Sequence, residues 1–333
     1  MNLTLKDFHV PNEWNVKSIN DNSFIQECYQ KAIEMNIYDK SDEKGKAVMY
    51  HALTVCPAFW PTVTYDQLVL SGYLMLWLIL FDDDLDTVFI PDDEATEIIN
   101  RTELIFLEGI LPTNPTKKEE FTLFFRNQVL KMSGNRLDMF NLFLNYTIQW
   151  IHSIIPLNKT IEPHMDLFLF IRKLNVGVYP LIGLSCIFFS NDKIDQSLFL
   201  NPRWLKLCEA TSIVTALYND CVSYAKEVKG NAGVNNCLWF LQKKNNTSIQ
   251  DTFKYICEKS NMYIKEFQNH EEKLLNQYNN IQPLATLLNS LKYIMNGKYY
   301  WSMNTARYAS PSSPFIEIQN AVSPDNKLIN NEL

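Results

Sequence analysis

Leu68 to Phe81 (LVLSGYLMLWLILF) is a run of 14 residues that is almost wholly apolar, and it ends directly in Asp82-Asp83-Asp84-Leu85-Asp86. That junction limits what the chain can fold into. The run is short of the ~20 residues that a membrane helix needs, so it predicts a core helix. Such a helix delivers carboxylates to the end of a buried element. Val176 to Phe189 (VGVYPLIGLSCIFF) has the same length and the same reading. Neither run is expected to cross a membrane.

Helical spacing dominates the remaining chain, and few stretches alternate with period two. After Pro202, for example, Trp204, Leu207, Cys208, Thr211 and Thr215 follow a helical repeat. Only 9 of 333 residues are glycine, against an average near ~7%. An all-β chain with many tight turns, or a dinucleotide fold with a glycine phosphate loop, would need more. No repeat, linker or composition shift divides the chain. The fold class expected is all-α, one domain of roughly a dozen helices over residues 1–310. Residues 311–333, rich in Pro, Ser and Asn, are expected to form a disordered tail.

A net charge of −7 disfavours a nucleic acid partner. The seven cysteines are odd in number and none has C-x-x-C spacing, which argues against a zinc site or a disulfide framework. Met1 to Trp14 has no basic and apolar leader pattern. A reducing, cytoplasmic setting is the expectation.

Four segments carry polar chemistry. In the first, Asp82 and Asp86 fall at i and i+4 on a continued helix, with Asp83 beside them. Carboxylates near a helix C-terminus repel one another and oppose the helix dipole. A hard cation such as Mg²⁺ would relieve this, although a solvated acidic turn uses the same residues. In the second, Asn219, Ser223 and Glu227 stand at i, i+4 and i+8 and form one stripe of oxygen ligands, with Lys226 adjacent. A polar helix face is the plainer reading of that stripe. The third, Ile171 to Pro180, holds Arg172, Asn175 and Val176 ahead of Gly177 and Pro180. Those two residues should weaken or break a helix and expose carbonyls inside the protein. The same residues would fit a kinked packing helix with a surface Arg. The fourth is Arg307-Tyr308, a guanidinium and a phenol that can both donate to phosphate.

Taken together, these segments resemble the class I terpene synthases of microbial type, found in bacteria, fungi and amoebae. The resemblance runs from near residue 8 to residue 308. The family's aspartate-rich motif matches Asp82, Asp83 and Asp86 after Phe81, and its N-S-E motif matches Asn219, Ser223 and Glu227 with Lys226. Its diphosphate-sensing Arg falls on Arg172. The linker and effector positions fall on Asn175 and on the carbonyl of Val176. The late Arg-Tyr pair falls on Arg307 and Tyr308, with Trp301 six positions earlier, and Phe8-His-Val-Pro11 resembles the family's start. Asn175 departs from the Asp or Thr that many bacterial members carry.

The resemblance implies an isoprenoid-synthase fold around a deep central cavity. It also implies a linear isoprenyl diphosphate as substrate, with farnesyl diphosphate first. Three Mg²⁺ ions, replaceable by Mn²⁺, would be held by the aspartate and N-S-E motifs. Arg172, Lys226, Arg307 and Tyr308 would bind the diphosphate, and the product would be a sesquiterpene hydrocarbon or alcohol. Phe59, Trp60, Phe81, Tyr179 and Trp301 are candidates to line the cavity and meet a carbocation by cation–π attraction. Loops near 86–93 and 229–236 would close over it. The family includes dimers, so monomer and homodimer both stand.

Three other readings stay open: a diterpene synthase using geranylgeranyl diphosphate, a prenyl-chain-elongating synthase, and a catalytically silent helical binding protein. A chain-elongating enzyme would carry a second aspartate-rich motif where Asn219, Ser223 and Glu227 stand.

Overall fold

The computed structural model describes residues 3–15, 22–85, 90–154, 165–229 and 236–319. Fourteen α-helices form among them and no strand does. In chain order they are α1 (Ser23–Glu34), α2 (Glu43–Leu53), α3 (Cys56–Phe59), α4 (Tyr65–Leu85), α5 (Asp92–Glu108), α6 (Lys117–Ser133), α7 (Leu137–Ser153), α8 (Met165–Asn175), α9 (Val178–Phe189), α10 (Pro202–Lys229), α11 (Cys237–Asn245), α12 (Ile249–Gln277), α13 (Gln282–Asn304) and α14 (Ile316–Gln319).

The apolar run becomes α4, and the reason it is apolar on all sides is its surroundings. Leu68, Leu70, Leu74, Leu76, Trp77 and Phe81 are all buried. No single face could take them, so α4 is wrapped by α1, α2, α3 and α6. On the other side of the molecule α10 packs against α8, α9, α11, α12 and α13. One large apolar core extends from Trp14 to Met295 and joins these layers.

The second apolar run is interrupted. α8 ends at Asn175, Gly177 takes a left-handed backbone with φ 80° and ψ 10°, and α9 starts at Val178. Glycine is the residue that adopts this conformation at little cost. The two helices bend by 47° at the break. Pro180 does not break anything. It sits in the first turn of α9, where its missing N–H has no intrahelical acceptor to lose. Among the described residues no single helix is long and apolar enough to cross a membrane. α8 and α9 together reach that test by length and composition, but most of α9 is buried.

Residues 311–319, expected within a loose tail, are docked on the helical body. Leu3 and Phe315 form a parallel bridge, with Leu3 N–H donating to the Pro314 carbonyl and Ile316 N–H to the Leu3 carbonyl. Phe315 and Ile318 are fully buried beside Leu5 and Phe8. Two large apolar side chains in an otherwise polar tail explain the docking, because their burial outweighs the ordering of a few residues. Residues 320–333 lie outside the described residues.

A methyl group at Gly177 would meet only the Trp150 indole, at 3.6 Å. The cost of Gly177→Ala is therefore backbone strain, about 1–2 kcal/mol. The expected outcome is a lower urea midpoint with the m-value unchanged.

Candidate active site

The last turns of α4 place Met75, Leu78, Ile79 and Asp82 on one helical face, and that face forms part of the wall of a cavity of about 340 Å³. Phe81 is one residue, or about 100°, away from Asp82 round the helix. It stacks on Trp77 and meets Trp150, and it lines a separate recess between α4, α5 and α6. It is therefore not a cavity aromatic as expected. The Asp83 side chain and Asp86 lie outside the described residues, as does most of the two expected closing loops.

The break between α8 and α9 lines the opposite wall with Arg172, Asn175, Val176, Gly177 and Val178. Arg172 is buried and paired with Asp220 of α10, which is wholly inaccessible. The guanidinium donates from Nε and Nη2 to Asp220 Oδ1 at 3.0 and 2.5 Å, and from Nη1 to Asn175 Oδ1 at 2.8 Å. Asp220 Oδ2 also accepts from the Cys237 N–H at 2.7 Å. Burial pushes the Asp220 carboxyl up to about 6, and the contact with Arg172 holds it from rising further. Burial works against the Arg172 charge too, but Asp220 outweighs it and the guanidinium stays charged. The Asn175 carbonyl at the broken helix end accepts from Trp150 Nε1 at 3.2 Å, which satisfies one acceptor that the break leaves open.

α10 presents Thr215, Asn219, Ser223 and Glu227 to the cavity at four-residue spacing, with Lys226 beside them. Thr211 and Ser212 do not reach it: their hydroxyls donate to the carbonyls of Leu207 and Lys173. Ser223 Oγ gives its proton to the Asn219 carbonyl at 2.7 Å, so its lone pairs stay open. Asn236 Nδ2 donates to Glu227 Oε2 at 2.7 Å and fixes that carboxylate. Asn219 Oδ1 accepts from Tyr308 Oη at 3.3 Å. Asp82 completes a set of carboxylate, amide and hydroxyl oxygens on the cavity wall. These are hard donors of the kind that hold Mg²⁺ beside water and phosphate, so the residues fit a divalent metal. The Thr215 hydroxyl is buried without a partner.

Arg307 and Tyr308 follow α13 in a short 3₁₀ turn (Ala306–Tyr308) and also face the cavity. Burial tends to raise the Tyr308 phenol, yet Lys298 and Arg307 bring it below its ordinary value. Apart from Lys298, the remaining wall is apolar, with Val55, Phe59, Trp150, Leu181 and Trp301 among its members. Trp60 and Tyr179 do not line it. Trp60 donates to Ser185 Oγ at 2.9 Å and packs on Phe59 and Phe188. Tyr179 meets the edge of Tyr146. Four residues escaped sequence reasoning: Asp220 as the partner of Arg172, Asn236 as the support of Glu227, and Trp150 and Lys298 in the wall. Asp220 had a usable signal, since it sits inside the N-D-x-x-S-x-x-x-E pattern. The others had none.

The model for terpene synthase family 2, C-terminal metal binding, matches residues 73–266. Terpene synthase 9 of Dictyostelium purpureum is 44% identical over 97% of this chain and 96% of its own length. The chain belongs to the terpene synthase family. Terpene synthase 1 of Acytostelium subglobosum is 36% identical, over 96% of this chain and 98% of its own length. Among solved structures, hedycaryol synthase in complex with HEPES is similar with a TM-score of 0.75 at 14% identity, covering 89% of this chain and 97% of that one. Germacradien-4-ol synthase from Streptomyces citricolor is similar with a TM-score of 0.70 at 13% identity, covering 89% and 97%. At such identities the structural likeness concerns the fold alone, which is the isoprenoid-synthase fold. The enzyme is thus a metal-binding terpene synthase with an isoprenyl diphosphate substrate, and the described residues of the four motif segments meet at one cavity.

The buried pair gives a test of this architecture. Asp220→Asn should destabilise the terpene synthase by about 3–5 kcal/mol, because it leaves Arg172 buried without its counter-charge. Adding Arg172→Met to that variant should restore much of the loss. Chemical denaturation of the two single variants and the double variant reads both outcomes.

Proposed function

We propose that the enzyme ionises farnesyl diphosphate with Mg²⁺ bound and releases a sesquiterpene hydrocarbon or alcohol plus diphosphate. The observation that carries this reading is the mixed lining of one cavity. Hard oxygen donors and cations line it, and so do aliphatic and aromatic side chains. A diphosphate suits the first and a prenyl chain suits the second. The cavity of about 340 Å³ is at the small end of ligand pockets, which favours farnesyl over the longer geranylgeranyl chain.

Asp82, Asp83 and Asp86 on one side and Asn219, Ser223 and Glu227 on the other would hold three Mg²⁺ ions. Bound there, the metal would neutralise the diphosphate and ease cleavage of its C–O bond. The chain's own side chains do the rest. Arg172, Lys226, Arg307 and Tyr308 donate to the diphosphate oxygens, where negative charge grows as the bond breaks. Asp220 keeps Arg172 charged and aimed. Asn175 and Val176, next to the broken helix end, sit where the allylic cation would form. Phe59, Trp150 and Trp301 offer ring faces to that cation, each contributing up to ~2 kcal/mol in a dry site. The apolar wall excludes water, which would otherwise quench the cation early.

The reading is tested by supplying geranyl, farnesyl and geranylgeranyl diphosphate separately, each with and without isopentenyl diphosphate, and analysing products by gas chromatography. A volatile product from farnesyl diphosphate alone is expected. A longer diphosphate would instead indicate chain elongation. Asp83→Ala and Asn219→Ala should each lower turnover by roughly 10²-fold or more with helical circular dichroism unchanged. Full turnover in both variants would exclude the metal assignment.

A further inference from the structure

Four cationic side chains line the cavity: Arg172, Lys226, Lys298 and Arg307. They differ in how their charge is accommodated. Arg172 is neutralised by Asp220, and Lys226 is exposed to water. Arg307 is half-buried. Lys298 is only 6% exposed, and among the described residues no carboxylate oxygen lies within the 4.0 Å of an ion pair.

The surroundings of Lys298 are well defined. It projects from α13, and its Nζ donates to Tyr308 Oη at 2.7 Å. It also lies 4.6 Å from the centre of the Tyr308 ring and 5.0 Å from that of Trp301. The Glu227 carboxylate attracts it from beyond ion-pair distance, and Arg307 repels it. Burial pulls its pKa below the ordinary lysine value. An ammonium has three donors, and one is used on Tyr308. The ring faces offset part of the desolvation cost, but a buried charge without a counter-ion remains expensive. An uncharged side chain of similar length would make the free protein more stable. Among the described residues Lys298 has no anionic partner within ion-pair distance, and on the reading above the cavity that it lines is where an anion would bind.

We propose that Lys298 is a diphosphate-binding residue of this enzyme, donating directly to the diphosphate alongside Tyr308. The inference rests on the isoprenyl diphosphate reading above. In this arrangement Lys298 holds the Tyr308 oxygen as an acceptor, which turns the phenol proton toward Asn219 Oδ1 and the diphosphate end of the site. Its remaining N–H groups meet the anion. The charge that strains the free protein is then compensated on binding, which makes binding tighter and selective for anions of high charge.

The test uses the full chain in Mg²⁺ with inorganic diphosphate as the probe, read by thermal shift and by titration calorimetry. Lys298→Met should leave the melting temperature of the free protein unchanged or higher. It should weaken diphosphate binding by roughly 10- to 100-fold, the scale of one charge-assisted hydrogen bond. In a Tyr308→Phe background, Lys298→Met should still weaken binding severalfold, because the contact is direct. Loss of the effect in that background would make Lys298 a positioning residue for Tyr308 and overturn the proposal. So would a free protein that melts lower while its diphosphate affinity stays within twofold of wild type. Lys226→Met separates the role of Lys298 from the diphosphate reading itself. Weaker binding at Lys226 with none at Lys298 rejects Lys298 alone, whereas a wild-type chain that binds no diphosphate rejects the functional reading together with it.

Discussion

Much of the site depends on the ion pair between Arg172 and Asp220. A guanidinium and a carboxylate taken out of water lose several kcal/mol of hydration each. Here that loss is offset because almost every polar atom of the pair is used. Asp220 accepts from two guanidinium nitrogens and from the Cys237 N–H, and Arg172 also donates to Asn175. Through these contacts the pair ties the end of α8 to the middle of α10 and to the start of α11. The Asn236 amide, which caps α11 by accepting from the Trp239 N–H, reaches back to the Asp220 carbonyl and to Glu227. One buried charge pair thereby fixes the helix break and the orientation of the oxygen stripe together.

A cavity with two characters follows from how the helices meet. α4 brings Asp82 on a face that is otherwise apolar, α10 brings Asn219, Ser223 and Glu227, and the residues N-terminal to Asp82 on α4 continue the apolar wall. The result is a cavity lined both by cations and oxygen donors and by apolar side chains, with no glycine-rich loop among the described residues. Phosphate binding by backbone amides would require a glycine-rich turn at a helix N-terminus. In this chain the charged groups are side chains that project from helices, so the few glycines can serve elsewhere. Gly177 is the one the site needs, because its left-handed conformation ends α8 where Arg172 and Asn175 are placed.

Periodicity makes several features legible in the sequence. The burial of α4 followed from an apolar run with no polar face, and the stripe of Asn219, Ser223 and Glu227 followed from four-residue spacing. Residues whose role depends on a neighbour from another helix were harder to read. The family resemblance makes Phe81, Trp60 and Tyr179 candidate cavity aromatics, yet each packs against other rings instead, and for Phe81 the reason is that one residue turns a side chain by about 100° round the helix. The composition of the tail beyond 310 hides the fact that Phe315 and Ile318 can anchor residues 311–319 beside the N-terminal segment.

What the sequence determined by itself is local: which stretches are helical, which helix must be buried, where glycine permits a break, and which oxygen ligands share a face. Motif resemblance added the family, because the order and spacing of those ligands are specific. Tertiary structure decided what depends on contacts between distant segments. It paired Arg172 with Asp220, 48 positions away, and set Asn236 against Glu227. It also brought Trp150 to the wall and left Lys298 buried with no carboxylate within ion-pair distance among the described residues. Hydrophobic period is a property of one helix, whereas the compensation of a buried charge depends on which other helices surround it.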